Sequence, residues 1–197
     1  MEGCSASFRY LLIILLTFSG DELTGISGIA FYDKSIICLP DSIGNLSSLN
    51  RLNVSCNQLN HLPSSFVNLT SLIYLDVGGN YLTAIPDCIG NLSSLLHLNI
   101  TCNKLTCIPD SICGLTSLNY LYMHDNQLAH LPESIGILNS LKSLGVYGNL
   151  LTQLPDSIRG LSSLSHLSVG NNPISLTQAD KDKILRRFER AGLEISL

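Results

Sequence analysis

A 23-residue pattern repeats six times between Leu39 and Leu176 without an insertion or a deletion. The first copy reads LPDSIGNLSSLNRLNVSCNQLNH and the last reads LPDSIRGLSSLSHLSVGNNPISL. A fixed period of this length is typical of a solenoid, in which each repeat buries its apolar face against the neighbouring repeats. The 197-residue chain is therefore predicted to be one domain, and this architecture favours binding over catalysis.

One half of each repeat follows the pattern LxxLxVxxNxL and predicts a short strand. In the first copy Leu52 and Val54 alternate with other residues, which suits a strand with one face turned inward. An asparagine recurs in one register of all six repeats, at Asn57, Asn80, Asn103, Asn126, Asn149 and Asn172. Because an amide side chain offers both an acceptor and donors, we expect a buried stack that pairs with backbone groups where each strand turns away.

The other half of each repeat predicts a short helical or 3-10 turn. In the first copy the apolar residues follow helical spacing, but the segment is too short for more than one or two turns. A proline occupies the second position of every repeat, at Pro40, Pro63, Pro86, Pro109, Pro132 and Pro155. Proline fixes φ and has no N–H to donate, so it fits the entry to a helical turn and not a paired central strand.

Taken together, these Leu, Pro and Asn positions resemble the leucine-rich repeat proteins, in the 23-residue LPxxIxxLxxLxxLxVxxNxL variety of Ras-group and bacterial members. The resemblance covers residues 39–176. It implies an α/β fold, a curved right-handed solenoid with a parallel β-sheet on the concave face and short helical or 3-10 turns on the convex face. In this family the concave face is usually the ligand surface.

The N-terminal residues 1–38 are predicted to form a cap and a degenerate first repeat. One period before the first full copy, Ile26, Ile29 and Phe31 fall on the apolar positions of the repeat. Terminal repeats are expected to be atypical because one side of each faces water. The apolar run over residues 10–18 has two interpretations, a part of this cap or a signal peptide, and we favour the cap.

The C-terminal residues 177–197 are predicted to form a capping helix over the last repeat. Ile184, Leu185 and Phe188 lie on one helical stripe, and Gly192 is placed to end the helix. Five of the eleven Lys and Arg residues lie on its outer side. Contact with an acidic partner or lipid is one interpretation, and a solvated helix face is the simpler one.

Composition limits the classes of partner. The net charge is −4 and 13% of the residues are charged, so we expect no nucleic-acid partner. The apolar run is shorter than the ~20 residues that span a bilayer, so we expect no membrane partner. We expect a monomer that binds a partner protein.

The seven cysteines are an odd number and do not indicate a disulfide framework. Free thiols in a packed solenoid favour a reducing compartment, either a cytoplasm or a host cytosol. Five Asn-x-Ser/Thr sequons are the opposing observation, but they arise from the repeated elements NLSS and LNVS. Secretion remains the alternative if the N-terminal run is a signal peptide.

No motif with catalytic or metal-ligand spacing occurs. CxxC, HExxH, GxSxG and the phosphate-binding loop are all missing, so we expect no catalytic residue, no metal site and no cofactor. Cys102 and Cys107 flank one turn, but Cys107 is expected to point into the core. A zinc site would also need two more ligands nearby.

The candidate binding residues are the large or polar side chains on the exposed side of each strand, which alternation places on one surface. They are Arg51, Tyr74, Asp76, His97, Asn99, Tyr120, Tyr122, His124, Tyr147 and His166. Tyrosine is favoured at interfaces because it combines a large rigid area with a polar tip. The competing interpretation is that aromatic residues simply pair across strands. We favour a binding face because these residues cluster in the central repeats.

We therefore interpret the chain as a non-enzymatic module that binds a partner protein through its concave face, with signalling regulation as the context implied by the family. Three alternatives remain open: a bacterial effector, a substrate-recognition adaptor for a separate enzyme such as a ubiquitin ligase, and a secreted receptor-like or inhibitor protein.

Overall fold

The computed structural model describes residues 26–32 and 35–174 and the backbone of Glu194–Ser196, which form alternating strands and 3-10 turns. The eight strands in chain order are β1 Gly28–Ala30, β2 Arg51–Asn53, β3 Tyr74–Asp76, β4 His97–Asn99, β5 Tyr120–Tyr122, β6 Ser143–Gly145, β7 His166–Ser168 and β8 Glu194–Ser196. The six 3-10 turns are Asp41–Asn45, Ser64–Asn68, Asp87–Asn91, Asp110–Gly114, Glu133–Ile137 and Asp156–Gly160. Across these described ranges no helix has the length and apolarity needed to cross a membrane.

All eight strands lie in one parallel sheet, in sequence order from β1 to β8. From β1 to β7 the pairing advances by one repeat at each step, so that Leu52 pairs with Leu75 and Leu75 pairs with Leu98. Because no repeat gains or loses a residue, equivalent positions lie side by side across the sheet. The solenoid predicted from the period is confirmed, and so are the parallel sheet and the short turns that the resemblance implies; the turns are 3-10 turns.

The core is a stack of aliphatic side chains between the sheet and the turns. The central leucines of six strands are buried: Leu52, Leu75, Leu98, Leu121, Leu144 and Leu167. The turns supply the facing layer, in which Phe66 takes the place that isoleucine holds in the other repeats. Each layer covers the next, which is why a single repeat could not bury its own apolar face.

The asparagines form the predicted buried stack, and Asn103 shows its pattern. The Oδ1 atom of Asn103 accepts the N–H of Leu82 at 2.9 Å. Its Nδ2 group donates to the carbonyls of Val77, Ile100 and Thr101, each at 3.1 Å. Leu82 and Val77 belong to the preceding repeat, so one side chain holds two repeats together while it satisfies four buried or partly buried backbone groups.

The prolines begin the turns, as predicted. Pro86 has φ −68° and ψ 146°, an extended conformation that lies just before the turn Asp87–Asn91. Its carbonyl accepts the N–H of Ile89 at 3.0 Å. The missing proline N–H costs no hydrogen bond here, because the first residues of a helical turn have no partner within the turn.

Strand β1 belongs to the degenerate repeat predicted ahead of the first full copy. Ile29 pairs with Leu52, as the shifted frame predicts. Asn57 accepts the N–H of Ile36 at 3.2 Å and donates to the carbonyl of Phe31 at 2.9 Å. The same asparagine contact that joins full repeats therefore also joins this atypical one.

The two predicted caps lie largely outside the described residues. These are the N-terminal cap with the run over residues 10–18, and most of the helix predicted over residues 177–197. Within the latter segment, the backbone of Glu194–Ser196 forms β8 and pairs in parallel with β7. We did not predict a strand there, although apolar and polar residues alternate in LEISL in the manner typical of one.

Replacing Asn103 by alanine should destabilise the fold. The change leaves the buried N–H of Leu82 without its partner. It also removes one of the two donors from each of the carbonyls of Val77, Ile100 and Thr101. An unpaired buried polar group costs about 1–3 kcal/mol, so we expect the free energy of unfolding to fall by at least that amount. Urea denaturation followed by circular dichroism measures the change.

Asn139→Ala is the matched control, because Asn139 is exposed and its removal should change the free energy of unfolding by less than about 0.5 kcal/mol. Asn103→Asp keeps an acceptor for Leu82 but sets a carboxylate oxygen against three carbonyls, so it should also destabilise. An Asn103→Ala protein that unfolds at the wild-type urea concentration would show that the asparagine stack is dispensable.

Candidate functional site

The solvent side of the sheet, called the strand face below, carries three rows of side chains. The first row is Gly28, Arg51, Tyr74, His97, Tyr120, Ser143 and His166. The second row is Ala30, Asn53, Asp76, Asn99, Tyr122, Gly145 and Ser168. The third row, two residues further along each repeat, is Tyr32, Ser55, Gly78, Thr101, His124, Tyr147 and Gly170. All ten candidate residues predicted from the sequence lie in these rows.

Six rings of the strand face contact one another across four repeats; we call Tyr74, His97, Tyr120, Tyr122, His124 and Tyr147 the ring ladder. Tyr74 and His97 stack with ring centroids 4.6 Å apart and planes at 22°. The His97 ring lies 5.7 Å from that of Tyr120 and 5.5 Å from that of Tyr122. Stacked and edge-on pairs at these distances attract one another.

The ladder continues beyond β5 and stays partly exposed. Tyr122 stacks on His124 at 5.9 Å with planes 19° apart, and His124 meets Tyr147 edge-on at 6.5 Å. Tyr120 is 37% exposed and Tyr147 is 41% exposed. The rings therefore pair across strands, as one interpretation of the sequence held, and they also offer an aromatic surface to solvent.

The imidazole of His124 reaches over β6 because Gly145 has no side chain. A Cβ atom at position 145 would overlap the His124 ring. Gly145 has no positive φ, so the space it leaves, and not its backbone freedom, is what the ladder needs. We did not single out Gly145 from the sequence; its signal is a glycine in a register where other strands carry large side chains.

Arg51 extends the ring ladder at the β2 end. Its Cζ atom lies 4.6 Å from the centroid of the Tyr74 ring, within cation–π distance. Arg51 is exposed, and the single ion pair within the described residues joins Arg159 to Asp156. The charged edge of the Arg51 guanidinium is therefore available to a partner.

Asp76 lies in the second row but is buried, 8% exposed. It accepts the N–H of Gly78 at 3.0 Å and the hydroxyl of Tyr74 at 3.3 Å. Burial and this carboxylate raise the pKa of Tyr74, which keeps its hydroxyl a donor. Asn99 accepts the N–H of Thr101 at 3.1 Å in the same way. Such contacts are typical of Asn and Asp at turns, so both side chains first stabilise the ends of their strands.

The two ladder histidines are held towards the neutral form. Within the described structure, the Nδ1 atoms of His97 and His124 are buried and have no hydrogen-bond partner. Burial lowers the pKa of His97 below its ordinary value of 6.5; Asp76 opposes this shift and Arg51 adds to it. Burial likewise lowers the pKa of His124, with Asp125 opposing. The two ladder histidines are therefore held in the neutral form at neutral pH.

His166 occupies the far end of the first row. It is exposed, and its Nδ1 atom lies 2.8 Å from the hydroxyl oxygen of Ser165. The small residues Ser143 and Gly145 of β6 stand between it and the tyrosines of β5 in the pairing register. His166 thus shares the surface with the other candidate residues but lies at its margin.

The cysteines supply no paired or clustered site within the described ranges. Their free thiols belong to Cys38, Cys56, Cys88, Cys102, Cys107 and Cys113. Cys107 is exposed, so the prediction that it points into the core is wrong. Burial raises the pKa of Cys88, Cys102 and Cys113, which keeps these thiols protonated and weakly nucleophilic. No group of three potential metal ligands is found in this part of the chain.

Comparison with known proteins gives one family match by sequence. A family described as "Leucine-rich repeat region" matches residues 29–108, which include β1 to β4 and the turns between them. No curated protein matches the chain.

Solved structures with the same fold come from bacteria and plants. A leucine-rich repeat protein of Leptospira interrogans is 27% identical with a TM-score of 0.67, over 89% of this chain and 50% of that one. The ectodomain of the Arabidopsis thaliana receptor kinase GASSHO1/SCHENGEN3, in complex with CASPARIAN STRIP INTEGRITY FACTOR 2, is 34% identical with a TM-score of 0.64, over 74% of this chain and 17% of that one. The plant peptide hormone receptor RGFR1, in complex with RGF2, is 31% identical with a TM-score of 0.65, over 69% of this chain and 23% of that one.

This chain spans about half the length of the Leptospira protein and less than a quarter of the two plant receptors. The family match over residues 29–108 and the solved structures agree with the repeat solenoid and its parallel sheet. The chain has the leucine-rich repeat fold, and its residues 29–108 match the leucine-rich repeat family.

Proposed function

We propose that this protein is a non-catalytic binding module whose strand face, concave in this class of fold, recognises a segment of a partner protein. The ring ladder carries the proposal, because six contacting rings remain partly exposed at the centre of the sheet. Residues that dominate binding energy are typically central and aromatic, surrounded by weaker polar contacts. Asn99 and Ser143 lie beside the rings and supply such polar neighbours.

The arrangement suits recognition because little order is lost when a partner binds. Each ring is held by the next ring, and the strands beneath are joined by the asparagine stack. Association costs about 0.5–1.5 kcal/mol for each flexible side chain that becomes immobilised. Rings that are already ordered avoid most of this cost.

The solved relatives support a protein or peptide partner. RGFR1 is a peptide hormone receptor solved in complex with RGF2, and GASSHO1/SCHENGEN3 was solved in complex with CASPARIAN STRIP INTEGRITY FACTOR 2. The present chain covers only a part of each receptor. The similarity therefore supports the proposal that this fold binds a protein or peptide, and it does not support the proposal of the same ligand. We propose that the protein acts as a monomer and binds no nucleic acid.

The cellular setting of this binding is a further proposal. The six described free thiols favour a reducing compartment. By analogy with the fold, we propose a role in signalling regulation there, as a cytoplasmic protein or as an effector in a host cytosol. An adaptor for a separate enzyme and a secreted receptor-like protein are the alternatives. Mass spectrometry of the native protein tests them: an N-terminus near Gly20 with glycans on the sequons would support secretion and contradict the reducing compartment.

Replacing Tyr120 and Tyr122 together by serine should weaken partner binding by about 2 kcal/mol or more, roughly thirtyfold in Kd. The change removes two rings from the centre of the ladder and leaves the buried Leu121 between them. The partner is first captured by affinity pull-down with the wild-type protein. Isothermal titration calorimetry then gives the affinities of both proteins.

Tyr81→Ser is the matched control. Tyr81 is 50% exposed but lies outside the three rows of the strand face, so its loss should leave partner affinity unchanged. Circular dichroism shows whether each variant is folded. A folded Tyr120→Ser/Tyr122→Ser protein that binds as tightly as wild type would move the binding surface away from the strand face.

Acidification should lower the free energy of unfolding through His97 and His124. Their pKa values in the folded protein lie below 6.5, so the folded state binds these protons less readily than the unfolded chain. The contribution of the two neutral histidines to the free energy of unfolding is complete above pH 6.5. It is lost as the pH falls through 6.5 towards the lower pKa values of the folded protein. Urea denaturation at about pH 7.5 and about pH 5.5 measures the loss.

The double variant His97→Gln/His124→Gln removes both titrating groups and should lose less stability on acidification than the wild-type protein. Comparison of each protein with itself at the two pH values cancels the direct effect of the substitutions. An equal loss in both proteins would show that these histidines do not cause the pH dependence.

A further inference from the structure

The strand face ends in a cleft beside β1, with a volume of about 340 Å3. Gly28 and Ala30 form its floor, at the row positions that Arg51 and Asn53 occupy in β2. Because these two residues have little or no side chain, the large side chains of the first two rows begin only at β2 and leave an open space over β1. The cleft is large enough for one side chain or one chain end of a partner, and too small for a helix.

Arg51 and Asn53 offer hydrogen-bond donors at the wall of the cleft, where the exposed hydroxyl of Tyr32 can donate or accept. Arg51 lies over the Tyr74 ring and has no ion pair among the described residues. The Oδ1 atom of Asn53 accepts the N–H of Ser55 at 3.0 Å, which leaves the NH2 end of its amide for a ligand. A site in which donors outnumber acceptors, with a cation among them, favours an anion.

The charges favour an anion with one negative charge. Arg51 supplies one permanent positive charge, and its planar N–H groups match the two oxygens of a carboxylate. A phosphate dianion would bring a second negative charge towards Asp76, whose carboxylate accepts the hydroxyl of Tyr74 at the same wall. A carboxylate is therefore the better match.

We propose that this cleft binds a carboxylate of the partner and so anchors one end of the segment that lies along the ring ladder. The carboxylate comes from an acidic side chain or from the chain terminus of the partner. The inference rests on the proposed function of the strand face, because Tyr74 belongs both to the ring ladder and to the wall of the cleft.

Small probes test the cleft without the partner. The full chain is titrated with N-acetylglycine, which carries a terminal carboxylate, and with the α-amide of N-acetylglutamate, which carries a side-chain carboxylate. N-acetylglycinamide is the uncharged probe and inorganic phosphate is the dianion. The backbone N–H signals of Gly28, Ala30 and Asn53 in two-dimensional NMR spectra report binding.

We expect at least one carboxylate probe to shift these signals with millimolar affinity, and the tighter of the two identifies the source of the anchor. N-acetylglycinamide should leave the signals in place. If neither carboxylate shifts the signals, or if phosphate binds more tightly than both, the proposal is wrong.

Two variants separate charge from shape. Arg51→Gln should weaken binding of the carboxylate probe by about tenfold or more, since it removes the cation. Gly28→Leu keeps Arg51 but fills the cleft, and should weaken binding similarly. Position 28 has room for the first carbon of the new side chain, because a Cβ there meets only the Cβ of Arg51, at 4.0 Å, and Gly28 has no positive φ. Wild-type affinity in either variant would overturn the proposal.

Lys104→Gln is the matched control. It removes the same charge from a cation that also lies 4.6 Å from a tyrosine ring, that of Tyr81, outside the strand face. The affinity of the probe should stay unchanged; an equal loss in Lys104→Gln would mean that overall charge, and not the cleft, attracts the probe. The probes need no partner protein, so the probe titration and the partner-affinity test of the Tyr120→Ser/Tyr122→Ser protein are independent. A negative result in the titration contradicts only the cleft, and a negative result in the affinity test contradicts only the proposed function of the strand face.

Discussion

The hydrogen bonds of the asparagine stack are the contacts on which the rest of this structure depends. Asn126 accepts the N–H of Leu105 and donates to the carbonyl of Ile100, both in the preceding repeat, and to the carbonyl of Met123 in its own. An inserted residue would move one of these buried groups away from its partner. The constant 23-residue spacing follows, and with it the alignment of equivalent positions in rows across the sheet.

That alignment explains why the strand face becomes an aromatic surface. Neighbouring strands lie about 4.8 Å apart, which is close to the distance at which two rings stack. Tyr74 and His97 occupy the same position of successive repeats and stack at 4.6 Å. A repeat protein that carries rings at one register therefore orders them against one another, and the resulting surface is rigid before a partner arrives.

The residues of the strand face divide into those that serve the fold and those that a partner can reach. Asp76 and Asn99 accept backbone N–H groups at the ends of their strands, and Gly145 makes room for His124. Arg51 and Tyr120 are exposed. Since the ladder histidines are held neutral, Arg51 is the one permanent cation in the described rows. The positive charge of the face thus lies at one end, beside the cleft at β1, and the neutral histidines lie at its centre.

The sequence by itself determined the repeat architecture. A period of 23 residues with a leucine at position 52, an asparagine at 57 and a proline at 40, repeated six times, predicts stacked strands and turns in which the asparagine amides pair with backbone groups. It also placed the ten candidate residues on one surface, because side chains alternate along a strand. Only the tertiary structure decided which of them are free: Asp76 is covered while Arg51 is not, and the cleft exists because β1 carries small residues. The burial of each candidate residue and the orientation of each ring depend on side chains of the neighbouring strands. The sequence of a single repeat does not contain those side chains.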